Sequence, residues 1–440
     1  MNNEGYSIDA PSGWEAKRLR FVTALSPSKS EARNLSSKTE VSFLPMESIG
    51  DDGTVDLSQT KLISEVINGY TYFRENDVVI AKITPCFENG KGAIAKGLVN
   101  GIGFGTTELI VARPRPDHTT AGYLHWVFRS VPFRQLGEAA MYGAGGQKRM
   151  PDDFVRNFKF PFPTVASQRF ISAFLDRKTA QIDALIAAYE RLMALLEEKR
   201  QAVITQAVTK GLDPTVPMKD SGVEWLGEVP DHWEPRKIAH AFAQIGSGTT
   251  PPTGQDEWYS DSDGGMPWIT TGELRETVIT ETVKYVTAKA LDEFSTLRVH
   301  PAGALAIAMY GATIGRLGIL GVAATTNQAC CVLSGEISLR IRFVYFWLLA
   351  FRQQIVDLYA VGSGQPNINQ EVITSLRVPA PTFAEQEGIV SFLDRETERI
   401  DVLISKVRTS IDLLKELRST LITAAVTGQI DVTEEVTQDA

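Results

Sequence analysis

Two stretches of the chain place an apolar residue at every seventh position through five heptads. The residues that form this seam are Leu175, Ile182, Tyr189, Leu196 and Val203 in the first stretch, and Leu393, Ile400, Val407, Leu414 and Leu421 in the second. A seven-residue register held for about 35 residues is typical of helices that pack along a narrow apolar seam. The pattern therefore predicts two long helices that pair as a coiled coil, each about 60 Å long at 1.5 Å per residue.

The two helical stretches are copies of one another. About 25 of the 53 positions in 161–213 are identical to those found 218 residues later, and the similarity begins at the related segments Pro161–Gln168 and Pro379–Gln386. A weaker match precedes each copy, where Pro11–Glu15 resembles Pro230–Glu234. A duplicated chain can form a pseudo-twofold arrangement, so we expect the two helices to pack antiparallel.

The segments between the copies differ almost completely, and their patterns indicate a mixture of strands and helices. Short apolar runs bounded by glycine-rich turns predict strands at 77–83, 109–112, 305–309 and 329–333. Apolar helices are predicted at Tyr123–Phe128 and Phe343–Phe351. The predicted fold is α+β, with two globular domains joined by the two long helices. The predicted segments are a first domain (1–160), a first helix (161–213), a second domain (214–378), a second helix (379–431) and a tail (432–440).

Composition is that of an ordinary globular protein with more than one core. Of the 440 residues, 43% are hydrophobic and 22% charged, which excludes long disorder and collagen-like structure. The longest dense apolar run, Phe343–Phe351, is too short to cross a bilayer. The first residues lack the basic and apolar regions of a secretory signal. Cys86, Cys330 and Cys331 form no disulfide framework, so we expect a cytoplasmic protein without a membrane partner.

The net charge of −9 argues against a protein that coats nucleic acid non-specifically. Residues 220–380 carry about −6 and 1–160 about +1. Any DNA-binding surface must therefore be local or completed by a partner, and the second domain is not expected to hold DNA strongly by itself.

No catalytic motif is found. The sequence has no HExxH, no Cys/His cluster, no GxSxG and no Walker GK[ST], and its only Pro-Pro pair is not in a methyltransferase context. Gly101–Gly105 lacks the full dinucleotide-binding spacing and is predicted to be a turn. We therefore expect no catalytic residue, no metal site and no cofactor in this chain.

Several glycine-rich loops contain polar side chains of the types that recognise DNA. Gln and Asn suit adenine, and Lys and Arg suit guanine or phosphate. The alternative is a set of solvated loops, which is the better interpretation for any single residue. The candidate DNA-binding residues are Lys82, Thr84, Asn89, Lys91, Gln147, Lys148, Arg149, Thr313, Arg316, Asn327, Gln328, Gln365 and Asn367.

Taken together, these segments resemble the specificity subunits of type I restriction–modification systems. The resemblance covers almost the whole chain, and it rests on Gly222–Glu234, the duplicated PxPTxAxQ segments, the FLDR…ID helices and the AVT…D segments that follow them. Lys82–Gly92 and Gly311–Gly315 also look like variable-domain segments of that family.

The resemblance implies that each globular segment is a target-recognition domain reading half of a bipartite double-stranded DNA target. Each long helix would be a spacer and an assembly surface. The implied partners are two modification (methyltransferase) subunits, which carry S-adenosylmethionine and the catalytic motifs, and restriction (translocase and nuclease) subunits.

Two other functions remain open from the residues alone. A non-enzymatic, two-headed coiled-coil scaffold would join protein partners without reading a sequence. A single-chain DNA-modifying enzyme is disfavoured by the missing motifs. Exchanging one of the divergent middle segments separates them, because only a DNA reader would change its target at one half-site.

Overall fold

The computed structural model of the protein describes residues 10–144, 146–254, 257–260, 264–360 and 367–432. The chain divides into two compact units, residues 1–190 with 408–440 and residues 191–407. Each unit contains one globular domain and one half of each long helix, α7 (Val165–Lys210) and α12 (Phe383–Thr427). Both helices are continuous and 46 and 45 residues long.

The remaining elements of the first unit are short. Its strands are β1 (Glu15–Arg18), β2 (Thr23–Leu25), β3 (Glu40–Leu44), β4 (Thr60–Leu62), β5 (Thr71–Arg74), β6 (Val78–Ala81), β7 (Gly92–Ile94), β8 (Ile102–Gly105), β9 (Leu109–Pro114) and β10 (Lys159–Phe162). Its helices are α1 (Leu19–Val22), α2 (Ser30–Arg33), α3 (Ile63–Val66), α4 (Ala121–Arg129), α5 (Val131–Ala139) and α6 (Asp152–Asn157), with 3-10 turns at Met46–Ser48 and Val99–Gly101.

The second unit is built in a similar way. Its strands are β11 (Met218–Asp220), β12 (Glu228–Pro230), β13 (Glu234–Lys237), β14 (Phe242–Ser247), β15 (Tyr259–Ser260), β16 (Met266–Ile269), β17 (Val278–Ile279), β18 (Tyr285–Val286), β19 (Leu305–Ala308), β20 (Leu317–Leu320), β21 (Thr325–Thr326), β22 (Cys330–Glu336) and β23 (Arg377–Ala380). Its helices are α8 (Ile238–Ala241), α9 (Ala288–Glu293), α10 (Ile341–Tyr359) and α11 (Gln370–Ser375), with 3-10 turns at Thr271–Glu273 and Gly311–Thr313.

In each unit one sheet separates two cores. The order is β2-β9-β6-β7 in the first unit and β14-β22-β19-β20-β17 in the second. Side chains alternate faces along a strand, so Val78 and Ile80 pack on the helices while Val79 packs towards the other four-stranded sheet, β4-β3-β8-β5. Leu305 and Ile307 face helices in the same way. The α+β class and the predicted strands and helices are confirmed.

The long helices pair antiparallel within each unit, as the matched heptads predicted. Asp183 accepts hydrogen bonds from Arg418 at 2.8 and 3.1 Å in the first unit. Asp401 accepts from Arg200 at 2.8 and 3.4 Å in the second. The two ion pairs are copies, because each partner lies 218 residues from its counterpart. The heptad residues are buried unevenly: Leu175, Leu393 and Ile400 are fully or almost fully buried, and the other seven are half-buried.

The duplicated PxPTxAxQ segments have a structural role. Gln168 is fully buried, and its amide accepts hydrogen bonds from Thr119 and Thr120 and donates to the carbonyls of His118 and Pro163, all at 2.9–3.0 Å. Its counterpart Gln386 is also fully buried, accepts from the Arg340 amide at 2.7 Å, and donates to the carbonyls of Ser338 and Pro381. Each glutamine thus fastens the start of a long helix to its own domain.

The repeated Pro-x-x-Trp segments explain the ends of the helices. Gly211, after α7, has φ +73°, and a Cβ there would lie 3.3 Å from the Trp233 ring. Gly428, after α12, has φ +72°, and a Cβ would lie 3.1 Å from Trp14. Left-handed backbone conformations favour glycine, so each helix ends against the tryptophan that begins a domain.

The predicted turn at Gly101–Gly105 is correct only at Gly101, which ends the 3-10 turn Val99–Gly101 with φ +70°. It is wrong for residues 102–105, which form β8. The glycines make room for a ring: a Cβ at Gly103 would lie 2.1 Å from Phe73 on the paired strand β5. Close packing between strands, not a tight turn, requires glycine here.

Replacement of the buried glutamine should destabilise the first unit. Gln168→Leu keeps the apolar volume but leaves four polar groups without this partner, and each unsatisfied buried group costs about 1–3 kcal/mol. We expect a loss of several kcal/mol, measured as a lower thermal unfolding midpoint. Gln206→Leu, at an exposed position of the same helix, should change stability by at most about 0.5 kcal/mol. Equal decreases of the unfolding midpoint in the two variants would contradict the role of Gln168 in holding the helix to its domain.

Candidate nucleic-acid interface

Three loops of the first unit meet at the end of its central sheet. Lys82 follows β6, and its amide donates to the Glu108 carbonyl at 2.9 Å, just before β9. The Met150 amide, just before α6, donates to the Lys82 carbonyl at 2.7 Å. The loops 82–91 and 106–108 and the described part of the loop 142–150 are therefore joined by backbone hydrogen bonds, and we call them the first loop platform.

The second unit repeats this backbone arrangement although its sequence differs. The Met309 amide, after β19, donates to the Ala329 carbonyl at 2.8 Å, just before β22. The Ile368 amide, just before α11, donates to the Met309 carbonyl at 2.9 Å. The described parts of the loops 309–316, 327–329 and 367–369 form the second loop platform. The two platforms share a backbone scheme and carry different side chains.

Thr84 connects two loops of the first platform. Its hydroxyl donates to the Gly146 carbonyl at 2.8 Å and accepts from the Lys148 amide at 2.9 Å, and its own amide donates to the Lys148 carbonyl. The side chains of Gln147 and Lys148 are exposed at this junction. Thr84 thus positions the loop, while the two exposed side chains are available to a ligand.

Arg149 is engaged in an ion pair within the platform. Its guanidinium donates to both carboxylate oxygens of Glu108 at 2.9 and 2.7 Å. The hydrogen bond from Arg149 holds the pKa of Glu108 below its ordinary value, and Glu108 raises the pKa of Arg149. Arg149 would have to leave Glu108 to make a bidentate contact with guanine.

The other candidates of the first unit lie in different surroundings. The Lys82 ammonium is 4.0 Å from the Asp152 carboxylate and only partly exposed. The Lys91 ammonium donates to the Met46 carbonyl at 3.1 Å, so it braces a neighbouring loop. Asn89 is exposed near the far end of the same loop.

In the second platform the candidates that the structure describes carry no ion pair. Gln328 is exposed, and its Oε1 accepts from the Thr250 hydroxyl at 2.5 Å. Asn327 accepts from the Ala329 amide at 3.2 Å, and Thr313 donates to the Tyr310 carbonyl at 3.4 Å. Arg316 is half-buried and Asn367 exposed, while Gln365 lies outside the described residues.

Sequence reasoning missed two tyrosines and one threonine at these loops. Tyr142 is 67% exposed, and its amide donates to the Arg149 carbonyl at 3.1 Å. Tyr310 is 37% exposed, and its hydroxyl donates to the Gln328 carbonyl at 3.4 Å. Each tyrosine is followed by a glycine in the sequence. This Tyr-Gly pair could have been recognised as a signal, because an aromatic ring beside a flexible turn can contact a base or sugar. Thr250 gave no comparable signal.

The described residues contain no group of three or more His, Cys, Asp or Glu side chains placed to hold a metal. Burial raises the pKa of the Cys330 and Cys331 thiols to about 12, so neither is a nucleophile. No helix in the part of the chain that the structure describes is long and apolar enough to cross a membrane.

Solved structures with the same fold include two related chains. One, from a study of complex assembly and conformational transition of the type I R-M system, aligns with a TM-score of 0.79 and 18% identity over 96% of this chain and 100% of its own. The HsdS subunit from Thermoanaerobacter tengcongensis aligns with a TM-score of 0.61 and 17% identity, covering 98% of this chain and all of that one.

Sequence comparison points the same way. Two Escherichia coli proteins are each 37% identical to this chain: the type I restriction enzyme EcoAI specificity subunit over 247 residues (56% of this chain and 38% of that protein), and the EcoEI specificity subunit over 208 residues (44% and 34%). The matches thus span little more than a third of these relatives. Residues 230–410 match the family model of the type I restriction modification DNA specificity domain. In its repeated frame, its paired helices and these matches, this chain is similar to the specificity subunits of type I restriction–modification systems.

Proposed function

We propose that this protein is the sequence-specific DNA-binding subunit of a type I restriction–modification complex and that each loop platform reads one half of a bipartite target. The observation that carries the proposal is the duplicated backbone scheme at Lys82 and Met309. The two platforms share a backbone scaffold and differ in their side chains. Two domains that recognise two different half-sites require this combination.

The side chains on the platforms have the chemistry of base and phosphate recognition. Gln147 and Lys148 of the first platform and Gln328 of the second are exposed. Amides pair with adenine in the major groove, and lysine pairs with guanine or phosphate. The Thr250 hydroxyl orients the Gln328 amide, which reduces the entropy that Gln328 loses on binding a base.

The paired helices have the character of an assembly surface. Several apolar side chains on them remain between 41 and 60% exposed, and they are Leu185, Leu192, Leu195, Val402, Leu403, Leu413 and Leu417. Apolar positions that the paired helix does not cover favour a further protein partner. We propose modification and restriction subunits as these partners, with S-adenosylmethionine and catalysis on the modification subunits and none on this chain.

Alanine variants of the platforms test the proposal by methylation-site mapping in the complex with the modification subunits. Gln147→Ala with Lys148→Ala should relax recognition in one half-site, and Gln328→Ala should relax it in the other half-site. Each lost base contact should cost about 1–3 kcal/mol, whereas loss of a phosphate contact should weaken all sequences equally.

Gln206→Ala, at an exposed position on α7 that is not part of either platform, is the matched control and should leave the target unchanged. Unchanged specificity and affinity in all platform variants would show that DNA is read elsewhere. A complex that assembles normally but never prefers one DNA sequence would favour the scaffold function.

A further inference from the structure

A cavity of about 170 Å³ in the first unit is surrounded by positive charge. Four cationic side chains line it, Arg129 and Arg134 from the globular domain and Lys415 and Arg418 from α12. Asp51 is the acidic residue in its lining. At about 30 Å³ per water molecule, the cavity has room for roughly five waters or for a small hydrated anion.

Two of these guanidinium groups have hydrogen-bonding capacity that the protein does not use. Arg129 donates to the Asp51 carbonyl at 2.7 Å, and Arg134 donates to the Glu88 carbonyl. Arg129 Nη1 and Arg134 Nε are nevertheless buried without a partner among the described residues. Unsatisfied buried donors on charged groups are costly. Burial and the neighbouring Arg418 lower the pKa of Arg129 to about 10, as expected for cations that repel one another.

The nearby acids leave the cluster positive. Asp183 neutralises Arg418 through two hydrogen bonds. Burial raises the pKa of Asp52, but hydrogen bonds from Thr54 outweigh it and hold the pKa below its ordinary value, and the charge of Arg129 adds a smaller lowering. In the cavity lining Asp51 is the acidic residue that Arg134 and Lys415 share. Glu88 and Glu138 lie beside Arg134 in a neighbouring pocket and are not in this lining. An oxyanion with several acceptor oxygens on one centre, such as a phosphate group, would meet the unused guanidinium donors better than a single carboxylate.

The cluster does not belong to the frame that the two units share. Arg418 has a duplicated counterpart, Arg200, 218 residues earlier, but Lys415 corresponds to Glu197. Helix pairing therefore does not require a lysine at position 415. Because the repeated helix frame does not need the positive charge of Lys415, this charge indicates a function that only the first unit has.

We propose that this cavity is a binding site for a phosphate group, either inorganic phosphate or the terminal phosphate of a nucleotide. Arg134 and Lys415 contact the phosphate oxygens, and Arg129 and Arg418 contribute charge from their existing positions. The cavity touches the loop 82–91 of the first platform through Gly90, but Gln147, Lys148 and Gln328, the proposed base readers, are not in its lining.

Calorimetric titration of the purified 440-residue chain with sodium phosphate, at constant ionic strength, tests the site. We expect one saturable site with a Kd below about 1 mM. Arg134→Gln and Lys415→Glu, the latter copying the residue at the equivalent position of α7, should each weaken binding at least about tenfold. Titration with ATP under the same conditions distinguishes the sources: tighter binding than phosphate indicates a nucleotide, and equal binding indicates free phosphate.

Arg408→Glu is the matched control, because it changes the charge of an exposed residue seven positions before Lys415 on the same helix. It should keep phosphate affinity within about twofold, since exposed charges are screened by salt. The absence of saturable phosphate binding in the unsubstituted chain, or an equal loss in Arg408→Glu and Lys415→Glu, would overturn the proposal. It would also be overturned if phosphate did not bind and Arg134→Gln instead lowered the salt dependence of DNA binding, because the cavity would then hold a DNA backbone phosphate.

Discussion

Leu393→Asp is expected to unfold the second unit at temperatures that the unsubstituted chain withstands. Leu393 is fully buried in the main core of that unit. Removing a buried leucine costs about 2–5 kcal/mol, and a buried carboxylate adds the cost of burying a polar group or of forcing its protonation. For a unit of this size 1 kcal/mol lowers Tm by about 2–4 °C, so calorimetry should show a decrease of about 10 °C or more.

Leu196→Asp gives the comparison, because it occupies an equivalent heptad position in the same unit but is only half-buried. The aspartate there retains access to water, so we expect a smaller loss than at Leu393. Val402→Asp, at a 48% exposed position, should change Tm by no more than about 2 °C. If Leu393→Asp is insoluble, Leu393→Ala against Leu196→Ala makes the same comparison. Equal effects at positions 393 and 196 would show that burial along the seam does not determine stability.

Mild acid is expected to destabilise the first unit through His125. Burial, with Arg129, Arg418 and Lys96 nearby, lowers the pKa of His125 from its ordinary value to about 3. The folded unit therefore holds this imidazole neutral, whereas the unfolded chain binds a proton below about pH 6.5. Stability is present above that pH and is lost as the pH falls, by about 2 kcal/mol between pH 7 and pH 5.

Thermal unfolding across that pH range measures the effect, and His125→Phe separates it from other groups. The variant keeps an aromatic ring beside Trp126 but cannot be protonated, so the first unit should lose less stability in acid. His118→Gln, at an exposed position, should behave like the unsubstituted chain. An identical pH dependence in His125→Phe would mean that His125 does not cause the loss.

The long helices, their antiparallel pairing and the duplication could be predicted from the sequence alone. Heptad periodicity is local, and any helix that keeps it must bury the same stripe. The repeat is also detected when the sequence is aligned with itself, as the segments that contain Gln168 and Gln386 show. The family resemblance was recognised from these repeated segments, because their motifs are visible in the amino-acid sequence. The structure shows that the same segments hold the domains to the helices.

The candidate site could be predicted only in part, because its geometry depends on contacts between residues far apart in the chain. Glycine-rich polar loops indicated Gln147, Lys148 and Gln328, which are exposed on the platforms. Nothing local showed that Arg149 would be held by Glu108, 41 residues away, or that Lys91 would reach the Met46 carbonyl.

The sequence by itself therefore determined the elements, their repetition and the resemblance to a family. The tertiary structure decided which heptad residues are deeply buried, as Leu393 is and Leu196 is not, because burial depends on the domain that packs against each half of a helix. It also decided that Arg134 and Lys415, 281 positions apart, line one cavity. Charges so distant in the chain meet only through packing, and no pattern along the sequence records their meeting.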